Sequence, residues 1–80
     1  MKYVILNSEQ AILFPDAVSH SSVAQEDQVL SAGFCSVETY RDEYDDIRAK
    51  VSVWGDSTTL NRKSDPGDEM IIARMFKTGF

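Results

Sequence analysis

Apolar residues open the chain in two short runs, Tyr3–Leu6 and Ala11–Phe14, separated by Asn7, Ser8 and Glu9. Those separators punctuate strands, so the pattern predicts two strands joined by a tight turn. Neither run alternates cleanly with polar residues, as expected of strands covered on both faces. Pro15 has no N–H to give a ladder and ends the second strand. Further on, Ser22-Val23-Ala24-Gln25 has the S-x-x-Q spacing of a capping box. The Ser22 hydroxyl would accept from the Gln25 N–H, and the Gln25 side chain would return to the Ser22 N–H. Glu26 and Asp27 suit the positive end of a helix dipole. A short helix over Val23–Gln28 is predicted.

A longer strand follows over Val29–Tyr40, with Leu30, Ala32 and Phe34 on one face and Val29, Ser31, Gly33, Cys35 and Val37 on the other. Gly33 marks a bulge or a close approach of backbone. In the next strand Ile47, Ala49, Val51 and Val53 alternate with Arg48, Lys50, Ser52 and Trp54, a half-buried pattern. Between the two, "RDEYDD" reads as a polar hairpin loop. A helical stripe competes over the same stretch: Val37, Tyr40, Tyr44, Ile47 and Val51 are spaced 3, 4, 3, 4, with Asp46 and Lys50 as an i, i+4 pair. The strand-like run Val51–Trp54 and the acidic turn favour the hairpin. Asp56–Asn61 extends this strand or forms a short fifth.

The last element is a helix. Asp65 is predicted as its N-cap and Pro66 as its first residue, with Asp68 and Glu69 in the first turn. Ile71, Ile72, Met75 and Phe76 share an arc of about 140°. Lys77 would lie in the last turn and Gly79 at the C-cap. The order is β-β-α-β-β-α. It predicts an α+β fold: one antiparallel sheet of about four strands, a short helix after the second, and the C-terminal helix packed on one face.

Eighty residues suit a single domain, 1–80, that buries roughly 60% of its unfolded surface. Cys35 is the only cysteine, so no intrachain disulfide is possible, and no zinc-finger ligand set exists. A lone thiol fits a reducing cytoplasm. The run "YVIL" is too short for a signal peptide, and no stretch approaches the ~18 apolar residues of a membrane span. Net charge is −5, from 13 acidic and 8 basic residues. This disfavours direct nucleic-acid binding and anionic membranes. It suits a basic protein partner, or simply solubility.

His20, the only histidine, sits among Ser19, Ser21 and Ser22 with Asp16 nearby, a composition that raises a Ser-His-Asp site. A triad needs a nucleophile, a base and an orienting group converging on a pocket, and neighbours on one loop diverge. A short chain also leaves little room for a cleft of ~300 Å³. A loop histidine held by nearby backbone is the simpler expectation. Cys35 with His20 could form a thiolate pair, but its mid-strand position predicts a core thiol. No H-x-x-x-H, C-x-x-C or EF-hand spacing is present. "DEYDD" has four carboxylates, but lacks the spacing and glycine of a calcium loop and reads as a solvated loop. Arg62, Lys63, Ser64 and Gly67 stand at a helix start, a natural anion site. Asp65 and Asp68 already bring negative charge there, so self-capping is favoured. No cofactor or metal is implied. Tyr40, Tyr44 and Trp54, beside Asp42, Glu43, Asp45 and Asp46, form a candidate partner-binding surface. Alternatively, Trp54 packs under a loop.

"AILFPDAVSHSSVA", "VLSAGF" and "WGDSTTLNRKSDPGDEMIIARMF" together resemble a family of small uncharacterised proteins encoded by phages and prophages. The shared pattern is an apolar strand before Pro15, a lone His20 before small residues and an S-A-G-F strand. A G-x-S strand end and a Ser-x-Pro-like helix start complete it. Here that start, Ser64-Asp65-Pro66-Gly67-Asp68, is one register off the expected spacing. The resemblance implies an accessory or host-interaction role and assigns no catalytic residue. The sequence reading is therefore a small acidic cytoplasmic protein-binding module that is not an enzyme. Such a module could be a phage accessory protein or an inhibitor of a host nucleic-acid-binding machine. The alternatives are a small enzyme or ligand binder using His20 and its serines, or a structural virion subunit. A homodimer is compatible with each.

Overall fold

Strands β1 (Lys2–Leu6) and β2 (Ala11–Phe14) pair as the predicted antiparallel hairpin. Its turn is closed by Glu9 N–H to Leu6 O at 2.8 Å, with Glu9 at φ 63°. The computed structural model describes residues 1–76 of the chain. β3 (Val29–Arg41) lies on the other side of β1, and β4 (Ile47–Trp54) returns alongside β3. The sheet order is β2-β1-β3-β4, antiparallel throughout. Helix α1 (Asp68–Arg74) packs on it, giving the α+β architecture read from the pattern. Residues 38–50 form the hairpin and not the competing helix.

β1 is central, and its side chains alternate between two cores. Val4 joins Phe14, Ala24, Val29, Ala32 and Leu60 on one side. Tyr3 and Ile5 join Cys35 and Ile72 on the other, the helix side. Both faces of β1 are thus covered, which accounts for its continuous apolar run. Burial of Ile72, fully enclosed against the sheet, contributes about 1.5–3 kcal/mol.

The remaining details differ from the pattern. No helix forms over Val23–Gln28. Two single 3₁₀ turns stand there instead, His20–Ser22 and Glu26–Gln28. The capping box exists three residues later than predicted, between Gln25 and Gln28. Gln25 is extended (φ −89°, ψ 154°), which stops a helix from running through it. Ser22 instead shares a 2.8 Å hydrogen bond with Ser19. The face assignment of β3 also changes at one point. Ile5 pairs with Ser31 while Leu6 pairs with Val29, so Leu30 is bulged out. The bulge turns Val29 to the side of Ala32, while Ser31 stays with Cys35.

Gly33 is the site of close approach and not the bulge: a Cβ there would lie 2.6 Å from the carbonyl oxygen of Trp54. Asp56–Ser57 forms β5, which pairs with β6 (Arg62–Lys63) as a separate ribbon. Arg62 ties the ribbon down through Nε to Val29 O at 2.9 Å and Nη2 to Glu26 O at 3.0 Å. Regular α-helix begins at Asp68 with Gly67 as N-cap, later than the predicted Asp65 and Pro66. Asp65 and Pro66 occupy a preceding turn, where Asp65 Oδ1 accepts from Gly67 N–H at 2.8 Å. Asp68 Oδ2 accepts from Asp65 N–H at 3.0 Å. The predicted last-turn Lys77 and C-cap Gly79 lie outside the described residues.

Candidate functional site

The predicted surface is built on the β3–β4 hairpin. β1 pairs with β3 only as far as Phe34 in the ladder, so the rest of β3 reaches on with β4 alone as a strand partner. At the tip, Asp42 organises the loop. Its Oδ1 accepts from the N–H groups of Tyr44 at 2.9 Å and Asp46 at 3.0 Å. Its Oδ2 accepts from Arg48 Nε at 2.6 Å. The Arg48 guanidinium and the two amides hold the Asp42 carboxyl below the usual carboxylate range, and Asp42 in turn raises Arg48. Asp45 takes the left-handed conformation that closes the turn (φ 63°), and its carboxylate meets Arg41 at 3.1 Å.

Two of the four predicted carboxylates are thereby engaged within the arm. Glu43 and Asp46 form no ion pair among the described residues. Around them Tyr44 is 76% exposed, Tyr40 51% and Ile47 37%.

Trp54 does not belong to this cluster. It lies at the far end of β4, seven residues from Ile47 and so about 23 Å away at the usual strand rise. There it stacks on Phe34, with ring centroids 6.4 Å apart, and remains half exposed. The predicted surface therefore divides into a tip (Tyr40, Glu43, Tyr44, Asp46) and a separate Phe34–Trp54 pair.

His20 is buried and held from outside its own loop. Its Nε2 lies 2.9 Å from the Gly33 carbonyl on β3. A carbonyl only accepts, so Nε2 carries the proton. The ring sits edge-on to Phe14 and Phe34, at centroid distances of 5.4 and 6.0 Å. Ser19, Ser21 and Ser22 bond to one another. Among the described residues no serine hydroxyl is hydrogen-bonded to His20, so the nucleophile–base contact of a triad is not formed. A shallow depression of about 240 Å³ touches His20, Lys2, Ser57 and Thr59, but the Lys2 ammonium is already turned to Val18 O at 3.0 Å. Cys35 is fully buried, and burial pushes its thiol up from the ordinary value. That disfavours the reactive thiolate. Among the described residues no cluster of three His, Cys, Asp or Glu could hold a metal ion.

One polar cluster was not read from the sequence. The Asp68 carboxylate, 3% exposed, accepts from Tyr3 Oη at 2.6 Å, Ser31 Oγ at 2.8 Å and the Asp65 N–H at 3.0 Å. Burial and the neighbouring carboxylate push the Tyr3 phenol well above its usual range. Every buried side-chain donor and acceptor of the described residues has a partner, so the cluster fastens α1 to β1 and β3. The available signal was a phenol inside an apolar run and a serine on an inward strand face, two hydroxyls that burial obliges to find an acceptor. The helix start is not an open anion site: the Asp65 and Gly67 amides donate to the chain's own carboxylates, and those of Asp68 and Glu69 to the Asp65 and Pro66 carbonyls.

No family model, curated protein or solved structure matches this chain.

Proposed function

We propose that the protein is a small binding module that engages a protein partner through the tip of the β3–β4 arm and acts by contact, not catalysis. The observation that carries this reading is the exposure of Tyr44 in a turn closed by hydrogen bonds, with Tyr40 and Ile47 exposed on the strands that flank it. Aromatic side chains held by a pre-ordered backbone lose little freedom on binding and bury much area, which is why they anchor interfaces. The carboxylates of Glu43 and Asp46 beside them, and the net charge of −5, favour a partner with a basic contact surface. With Asp42 and Asp45 turned to Arg48 and Arg41, Glu43 and Asp46 are the tip carboxylates left without an ion pair among the described residues to imitate nucleic-acid phosphates. General protein contact is therefore favoured over that narrower version. A phage or prophage accessory role and a reducing, cytoplasmic setting belong to the same reading; the single buried thiol is compatible with the latter.

Affinity capture from the native host tests it, comparing the wild-type chain with Tyr44→Ala and Ile47→Ser. Both variants are expected to lose the captured partner while unfolding as the wild type does. Weakening with added salt is expected if Glu43 and Asp46 contribute. Capture that survives both changes, but is lost with Trp54→Ala, would move the interface to the Phe34–Trp54 pair and refute the tip.

A further inference from the structure

Phe14, Lys2, Phe34 and Trp54 are direct partners on neighbouring strands and so form one row across a single face of the sheet. Two segments meet beside this row. One carries Ser19 and His20, and the other is the β5–β6 ribbon with the turn that begins at Thr58. The depression of about 240 Å³ takes its lining from all three: Lys2 and Phe34 of the row, Ser19 and His20, and residues 56–59 of the ribbon. It is smaller than the ~300 Å³ from which drug-sized pockets start, which limits an occupant to about one ring.

His20 supplies the feature that marks a ligand position. The residue is only 5% exposed. Its Nε2 proton is taken by the Gly33 carbonyl, so Nδ1 carries a bare lone pair. No hydrogen bond reaches Nδ1 among the described residues. Every enclosed side-chain donor and acceptor there has a partner. Nδ1 is therefore not enclosed, and it opens to the surface at the depression that its ring lines.

The neighbouring groups decide what fits. Lys2 gives one N–H to Val18 O at 3.0 Å and keeps two. The Asp56 carboxylate and the Thr58 hydroxyl form no side-chain hydrogen bond among the described residues, and both side chains are exposed. Ser57 and Thr59 are occupied in holding the turn: their hydroxyls lie 3.3 Å apart, and Ser57 Oγ accepts from Leu60 N–H at 3.2 Å. One cation and one anion thus face the depression, and an occupant of either charge meets its like. A neutral occupant whose groups both donate and accept matches this lining. Phe34, extended by its stack on the half-exposed Trp54, adds an aromatic surface for C–H groups. A saccharide ring has both properties, since its hydroxyls donate and accept and its ring carbons are apolar.

We propose that this depression binds one neutral saccharide ring. A ring hydroxyl donates to His20 Nδ1, and Asp56 accepts from another. Lys2 and Thr58 donate to ring oxygens, and the ring C–H groups pack on Phe34. The site is independent of the contact assigned to the arm tip and shares no residue with it.

NMR of the isotope-labelled full chain tests it, with glucose, galactose, mannose and N-acetylglucosamine titrated in turn. At least one is expected to bind saturably, with an affinity of about millimolar. The Nδ1 signal of His20, the indole signal of Trp54 and the Thr58 amide should move, while the Tyr44 amide stays fixed. Asp56→Ala and Thr58→Val should each weaken binding by about tenfold. Both positions are exposed, and their unchanged thermal unfolding would show that the fold is kept. Acetate and methylammonium at the same concentrations should leave the three signals in place. The proposal is overturned if none of the four sugars moves them, if either ion moves them saturably to the same extent, or if both variants bind as the wild type does.

Discussion

The Tyr3 hydroxyl donates a 2.6 Å hydrogen bond to Oδ2 of Asp68, 65 residues further along the chain. The bond fastens the helix to the central strand inside a closed core. Tyr3→Phe leaves the carboxylate one donor short and is expected to cost about 1–3 kcal/mol, measured by urea unfolding. The pH dependence has a definite sign. The folded protein holds the Tyr3 proton more tightly than the unfolded chain does. Its contribution is therefore complete below about pH 10 and is lost as pH rises beyond it, by about 1.4 kcal/mol per pH unit. Tyr3→Phe should remove that alkaline slope; a slope that persists in the variant would assign it to another group.

Asp42 gives the opposite sign. Its folded carboxyl is more acidic than in the unfolded chain, so its hold on the tip loop is present above the usual carboxylate range and is lost only as pH falls through its lowered value. The amide signals of Tyr44 and Asp46 should stay fixed at about pH 4 and move below it. Asp42→Asn should bring the loop signals into exchange at neutral pH. Unchanged spectra in that variant would show that the turn holds without the carboxylate.

Gly33→Ala places a methyl 2.6 Å from the Trp54 carbonyl oxygen. Backbone at that position cannot yield without parting β3 from β4. A loss of about 1–3 kcal/mol is expected, a fall in Tm of roughly 5 °C or more. The indole fluorescence of Trp54 should report the shift, and a variant with wild-type Tm would mean that the strands separate without strain.

Cys35 is enclosed by Ile5 and Ile72 in the helix-side core. A thiol reagent in excess should not label the folded protein. Labelling should instead follow the unfolding curve in denaturant. Rapid labelling of the native state would place the thiol at the surface.

The strands and their pairing were legible because period and turn residues act locally. The clean alternation of β4 and Pro15 at the end of β2 are read directly from neighbours. The two 3₁₀ turns were not, because burial of His20 and Ala24 against distant strands outweighs the local capping signal. The bulge at Leu30 also escaped, since a register change depends on which residues the partner strand presents. Among the candidate residues, Tyr40 and Tyr44 are both exposed toward the end of the arm, as the hairpin reading implies. Trp54 was grouped with them because a hairpin seen only as sequence has no length. Asp68 looked like a routine first-turn acid, and only the fold brings Tyr3 and Ser31 to it.

β1 is the wall that two small cores share. Val4 closes one, while Tyr3 and Ile5 close the other. Neither layer can loosen without baring the strand that supports its neighbour. Two cores too small to stand alone thus become one cooperative unit, and damage on either face is felt by the whole domain as a single lowered transition.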